Sequence, residues 1–207
     1  MIDLINTTIR GRPRSDVRRV QLLTAAFELI AEVGFEGLRT RAVAERVGVN
    51  IATVHYYFPS KSDLIQSLLH HALERFRTVK APSVEPSPYA ELLQEFLDLE
   101  FHLTQEPELF RVLNELQLHA GRHPELRNLL AEMERGWRGY LVGQIQTAQA
   151  QGRLTNRVAP EQIALEMMAL LRGASLLHSS GYPSPSLAEA GERYLRALLP
   201  TSVTKGT

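Results

Sequence analysis

Apolar residues return every three or four positions along most of this chain, and no stretch alternates with the period of two that marks a half-buried strand. Val20, Leu23, Phe27 and Ile30, with Leu22, Ala26, Leu29 and Val33 beside them, predict a helix over residues 16–34 that stops at Gly34. Val43, Ala44 and Val47 form one narrow face of a short second helix. Gly48 follows it, where an abrupt stop favours a residue tolerant of positive φ. Asn50 is placed to cap a third helix over residues 51–57, whose inward face is Val54 and Phe58. Two turns cannot persist in isolation, so neighbouring helices must fix it. A fourth helix opens at Ser60 and Asp63, which have capping-box spacing, and continues to about residue 79 through Leu64, Leu68, Ala72 and Phe76.

Pro82, Pro86 and Pro88 then interrupt the helical period, and the clearest boundary of the chain falls there. Beyond it, Leu92, Phe96, Leu99 and Leu103 mark a fifth helix. Leu109, Val112 or Leu113, and Leu116 mark a sixth. A seventh runs over residues 124–151, roughly 40 Å at 1.5 Å per residue. Pro160 starts an eighth with Ile163, Met167, Leu171 and Ala174. Pro183 and Pro185 precede a ninth, with Leu187, Gly191, Tyr194, Leu195 and Leu198. The predicted fold is all-α, with about nine helices. Residues 1–15 form a basic arm with Arg10, Arg12 and Arg14, residues 16–80 a small helical domain with its connecting fourth helix, and residues 81–207 a larger helical domain. The arm is either a disordered tail or a contact to the DNA backbone or minor groove.

On the third helix Ile51, Ala52, Thr53, His55, Tyr56 and Tyr57 remain once the inward face is assigned. They present aromatic, hydroxyl and imidazole groups with no acid, as a helix-turn-helix does in the DNA major groove. Thr40 stands at the start of the second helix, where exposed N–H groups suit a phosphate. Lys61 lies in the first turn of the fourth helix, against the positive end of the helix dipole, which points to an external anion such as a DNA phosphate.

The segment GVNIATVHYYFPSKSDL resembles the helix-turn-helix of tetracycline-repressor-type (TetR family) transcriptional regulators. Gly48, Val49, Thr53, Val54, Tyr57, Phe58, Ser60 and Lys61 keep the family pattern, and Gly34-Phe35 and Thr40-Arg41 with Ala44 keep its upstream spacing. The likeness covers about residues 17–69, and His55 departs from it where the family most often has Tyr. The resemblance implies that Arg41 reaches a base or a phosphate. It also implies that the larger domain dimerises and receives an effector, and that the activity is repression.

Composition adds limits. With 44% hydrophobic residues in 207, a substantial core can be buried, and the absence of cysteine removes disulfides, thiolate metal sites and thiol nucleophiles. The N-terminus lacks the apolar run of a signal peptide, and apolar runs of about five residues are far short of a membrane span, so a cytoplasmic protein is expected. Net charge is zero, yet residues 1–80 carry 12 basic against 8 acidic residues and residues 81–207 carry 11 against 15. The basic half holds the helix-turn-helix, which suits attraction to phosphate.

In the larger domain Gly136, Gly139 and Gly143 share one helix face, for close helix contact or to leave space for a ligand. A mostly apolar effector site is expected among helices five to eight, with Phe96, Phe101, Phe110, Trp137, Tyr140 and Met167 as its walls and His102 or Glu115 as polar handles. No cofactor and no metal site are expected. His70 and His71 lack ligand spacing, and although His119 and His123 have it, Pro124 ends their helix. Helix eight is apolar on more than one face, so a symmetric homodimer is expected through Met167, Leu170, Leu171, Ala174 and Leu177, with Leu187, Gly191, Leu195 and Leu198 of helix nine.

An enzyme is not expected, because no nucleophile–base–acid set, phosphate loop or metal motif is present. The sequence therefore predicts a sequence-specific DNA-binding regulator, a repressor whose reading helix is too short to act alone and is paired on a palindromic operator. A small molecule of unknown identity would release it. The alternative is a DNA-binding regulator without a small ligand, controlled by a protein partner or acting architecturally.

Overall fold

The computed structural model describes residues 14–78, 80–83, 87–182 and 186–200. The basic-arm expectation for Arg10 and Arg12 and the helix break at Pro183 and Pro185 lie outside the described residues. So does the side chain of Phe76. The described residues form α1 (Arg14–Gly37), α2 (Thr40–Val47), α3 (Ile51–Tyr57), α4 (Lys61–Thr78), α5 (Ala90–Gln105), α6 (Pro107–Ala120), α7 (Pro124–Ala150), α8 (Pro160–Ser179) and α9 (Leu187–Ala197), with no strand among them. The all-α expectation holds.

Helix ends follow local chemistry. Gly34 takes φ 76°, ψ 175°, so α1 kinks there and adds one further turn through Gly37 instead of stopping. Gly48 is left-handed (φ 69°, ψ 40°) and closes α2. Prolines 107, 124 and 160 open α6, α7 and α8, at first-turn positions whose N–H groups have no partner within the helix.

Two apolar clusters hold the molecule together. The first joins α1–α4 through Leu22, Ile30, Phe35, Val54, Phe58 and Leu68, and it extends onto Leu109, Val112 and Leu116 of α6 and Leu126 and Leu130 of α7. The small N-terminal unit is thus seated on α6 and the start of α7. The second cluster gathers Phe96, Leu103, Leu141, Ile145, Ile163, Met167, Leu187 and Leu195 from α5 and α7–α9. A Cβ at Gly191 would lie 2.5 Å from Cγ of Phe96, so α9 meets α5 at a distance only glycine allows.

This packing corrects the expected dimer surface. Met167, Leu171, Leu187, Gly191, Leu195 and Leu198 are buried within the chain itself, and Ala174 packs half-buried against the second cluster. The reason is that α8 is covered by α5, α6 and α7 on one side and α9 turns its whole apolar face onto α5. Leu170 and Leu177 do stay open, at 45% and 46% exposure, and Leu165 and Leu176, which the pattern did not single out, are each 61% exposed.

Candidate DNA-binding surface and effector cavity

The reading helix α3 is pinned at both ends. Oδ1 of Asn50 accepts the N–H of Ala52 at 2.9 Å. After the helix, the N–H and Oγ–H of Ser60 donate to the Asp63 carboxylate at 2.9 and 2.7 Å, and the N–H of Asp63 donates back to Oγ of Ser60 at 3.1 Å. Asp thus completes the reciprocal cap that Glu makes in the usual box. Val54 and Phe58 are fully buried beneath the helix. Beneath α2, Arg46 is held by Glu28 and Glu32 of α1, and its guanidinium holds the Glu32 carboxyl below its ordinary range.

Ile51, Ala52, His55 and Tyr56 are exposed on α3, while Thr53 and Tyr57 are half-buried. The Tyr56 ring is 79% exposed and meets Tyr57 edge-on at 5.1 Å between centroids. Thr40 is the first residue of α2, after the N-cap Arg39, and is half-buried. Arg41 is exposed and pairs with Glu45 one turn on, at 3.0 Å. Lys61 stands with its ammonium 4.5 Å from the centre of the Phe35 ring. Burial there lowers its pKa, with Glu36 acting against the shift. The basic end of this side chain is therefore stacked on the protein.

A cavity of about 600 Å³ opens between α4 and α5–α8. Its lining includes Gln66, Leu69 and His70 from α4, Glu95, Asp98 and Leu99 from α5, Leu113 from α6, Met133, Glu134, Gly136, Trp137 and Tyr140 from α7, and Leu171, Arg172 and Ser175 from α8. Of the expected wall, only Trp137 and Tyr140 are present. Phe96, Phe110 and Met167 are spent filling the helix interfaces, and Phe101 stands edge-on to His102 away from the opening. His102 is fully buried on α5, and Glu115 faces α1 instead, where it accepts the N–H of Phe35 at 2.9 Å. Large apolar residues were the sequence signal, and those residues fill the core. The cavity is bounded by smaller and charged residues, each drawn from a different helix, so no local pattern marks it.

The charges around the cavity are mostly paired. Asp98 accepts from Lys80 Nζ at 2.6 Å, from the N–H of Ala81 at 3.0 Å and from Gln94 at 3.0 Å, tying the proline-rich connection onto α5. Arg172 pairs with Glu134 and lies over the Trp137 ring, 5.4 Å from its centre. Glu95 accepts the indole N–H of Trp137 at 3.3 Å, and burial raises its pKa despite that bond. The Tyr140 hydroxyl is likewise raised, by burial and then by the charge of Glu95. Oγ of Ser175 and Nε of Arg172 are buried without a hydrogen-bond partner among the described residues, which leaves them available to a ligand.

The three glycines of α7 make no close contact with another described element, because a Cβ on Gly136, Gly139 or Gly143 would meet nothing within 4 Å among the described residues beyond the helix's own backbone. Gly136 lines the cavity, while Gly139 and Gly143 are exposed. No described helix is long and apolar enough to cross a membrane.

Two family profiles match the chain. "Bacterial regulatory proteins, tetR family" covers residues 22–68, and "Tetracyclin repressor-like, C-terminal domain" covers residues 112–181. The HTH-type transcriptional repressor KstR of Mycolicibacterium smegmatis is 38% identical over 77 residues, which is 36% of this chain and 38% of that protein. The matched segments span less than half the length of such curated relatives. Among solved structures, a protein from Rhodococcus sp. assigned to the TetR family is 28% identical over 87% of this chain and 95% of its own, with a TM-score of 0.72. The multidrug binding protein EbrR, solved with imidazole, is 26% identical over 94% of this chain and 97% of its own, with a TM-score of 0.65.

Proposed function

The chain belongs to the tetR family of bacterial regulatory proteins, and from that premise we propose that it is a DNA-binding transcriptional regulator. It represses from a palindromic operator as a homodimer and is released by a small-molecule effector. The observation that carries the DNA-binding reading is α3 itself. It is a two-turn helix capped at its start, braced beyond its end by the Ser60–Asp63 cap, and anchored by Val54 and Phe58, and its open face of Ile51, Ala52, His55 and Tyr56 holds no acid. Thr40 and Arg41 at the start of α2 supply phosphate contacts, as does Lys61 once it leaves the Phe35 ring.

The effector would bind the cavity beside Trp137 and Tyr140. Its charge pairs are already matched, and Glu95 is left with an indole donor, so the site suits a drug-sized molecule with an apolar or aromatic body and one cationic or donor group. Coupling would run along α4. Gln66, Leu69 and His70 line the cavity, and the first turn of the same helix is bonded to Ser60, just beyond α3. A ligand that fits only one placement of α4 shifts the spacing of the paired reading helices by its differential affinity.

Dimerisation would use the open side of α8. Leu165, Ala169, Gly173 and Leu176 form one stripe at four- and three-residue steps, with Leu170 and Leu177 beside it. Two copies packed there would set the reading helices to one face of DNA, with half-sites about 34 Å apart.

The test is fluorescence anisotropy on a selected duplex across salt concentrations. Lys61→Ala should weaken binding by a similar factor on every duplex and flatten the salt slope by about one unit, whereas His55→Ala should change the preferred bases. If neither variant alters affinity, slope or base preference, the surface is assigned wrongly.

A further inference from the structure

The kinked end of α1 and the corner between α6 and α7 bring together residues 36, 119 and 123. One ligand atom of each, a carboxylate oxygen of Glu36 and a ring nitrogen of His119 and of His123, lie within 4.8 Å of one another. We propose that these three residues form a site for a divalent transition-metal ion of the zinc class, which would fasten the DNA-binding helices to the effector-binding half.

The surroundings of His119 support this. Its Nε2 lies 3.2 Å from Oε1 of Glu115, and that same oxygen already accepts the N–H of Phe35. With its proton on Nε2, facing that carboxylate, a neutral His119 presents a lone pair at Nδ1. That atom is buried, has no hydrogen-bond partner among the described residues, and lies 3.4 Å from Oε1 of Glu36. A lone pair beside a carboxylate oxygen is repulsive unless a proton or a metal ion lies between them.

The second histidine converges on the same point, with Nε2 of His123 3.5 Å from that same oxygen of Glu36. A tetrahedral ion with bonds of about 2.0–2.1 Å separates its ligand atoms by about 3.3–3.4 Å. The two histidine–carboxylate separations are close to that edge. Glu115 takes the outer role, as the carboxylate that fixes the tautomer of a ligating histidine. Phe35, buried beneath the group, meets the His119 ring tilted and the His123 ring edge-on, with ring centres 5.0 Å apart in each case, so the rings are held without the metal. Glu36 is 70% exposed, which leaves water to fill the fourth position. The two imidazoles and one carboxylate suit zinc, cobalt or nickel better than magnesium or calcium.

The experiment uses the full chain stripped with a chelator, then titrated with Co²⁺ and with Zn²⁺. Expected are one equivalent of Co²⁺ with the visible absorption of a tetrahedral centre, its displacement by Zn²⁺, and a rise in melting temperature of about 5–10 °C at a hundredfold excess over Kd. His123→Ala and Glu36→Gln, both at open positions, should each lower the affinity at least tenfold, and Glu115→Gln should lower it about tenfold. His178→Ala, an exposed histidine outside the cluster, should leave it unchanged. Absence of both the Co²⁺ spectrum and the thermal shift, as expected if the three residues make only ion pairs, would overturn the proposal. So would binding that survives in the Glu36→Gln, His123→Ala double variant.

Discussion

Gly34→Ala perturbs the seat of the DNA-binding unit at one atom. Gly34 holds φ 76°, ψ 175°, a region essentially closed to residues with a Cβ, and forcing alanine into it costs about 1–3 kcal/mol. The new Cβ would also lie 2.8 Å from Oε1 of Glu115, the oxygen that accepts the N–H of buried Phe35. Moving that carboxylate leaves the N–H unpaired, at a further cost of about 1–3 kcal/mol. Relaxation shares part of the strain, so a loss of about 3 kcal/mol is expected, or a drop in melting temperature of roughly 6–12 °C for a chain of this size. Gly139→Ala gives the opposite sign. It sits inside α7 with nothing within 4 Å of the added methyl, so helix propensity should raise stability by up to about 1 kcal/mol. Urea unfolding followed by circular dichroism, at one fixed protein concentration, measures both. A Gly34→Ala loss under 1 kcal/mol would refute the reasoning that strain and the Glu115 contact together hold this corner.

Further outcomes follow from the cavity and from α8. Because burial raises the Glu95 pKa, the folded state favours its protonated form, and the stability this gives at low pH is lost as pH rises through the raised value. Glu95→Gln should therefore raise the melting temperature at pH 7 and make little difference below the ordinary carboxylate range, as scanning fluorimetry across pH would show. The same variant should weaken binding of cationic aromatic compounds more than of neutral ones. Leu177→Arg, on the open side of α8, should give a helical monomer in sedimentation, whereas Leu171→Arg buries a charge in the chain's own core and should prevent folding.

The helices were legible because their ends are local. Gly48, Asn50, Ser60 with Asp63, and the prolines that open α6, α7 and α8 each act within a few residues of themselves. The open face of α3 was legible for the same reason, since Val54 and Phe58 fix which side is inward. What the sequence could not show depends on how many neighbours surround a helix. Met167 and Leu171 share α8 with Leu165 and Leu176, all apolar, and only the covering helices α5–α7 decide which of them are open. Phe96 was a candidate cavity wall, but Gly191 draws α9 onto it and makes it core. The cavity takes its lining from five helices, and charges are neutralised across them, as in the pairing of Arg172 of α8 with Glu134 of α7. Glu36 meets His123, and Phe35 meets Glu115, across most of the domain, and no spacing rule reaches that far.

The central claim, that α3 reads DNA sequence, is tested most directly by selecting bound duplexes from a random pool with the purified full-length protein and sequencing them. The account predicts enrichment of an inverted repeat with half-site centres about one helical turn apart, and changed bases at defined positions of each half-site when His55 is replaced by alanine. Recovery of unenriched DNA, bound only in proportion to low salt, would contradict it.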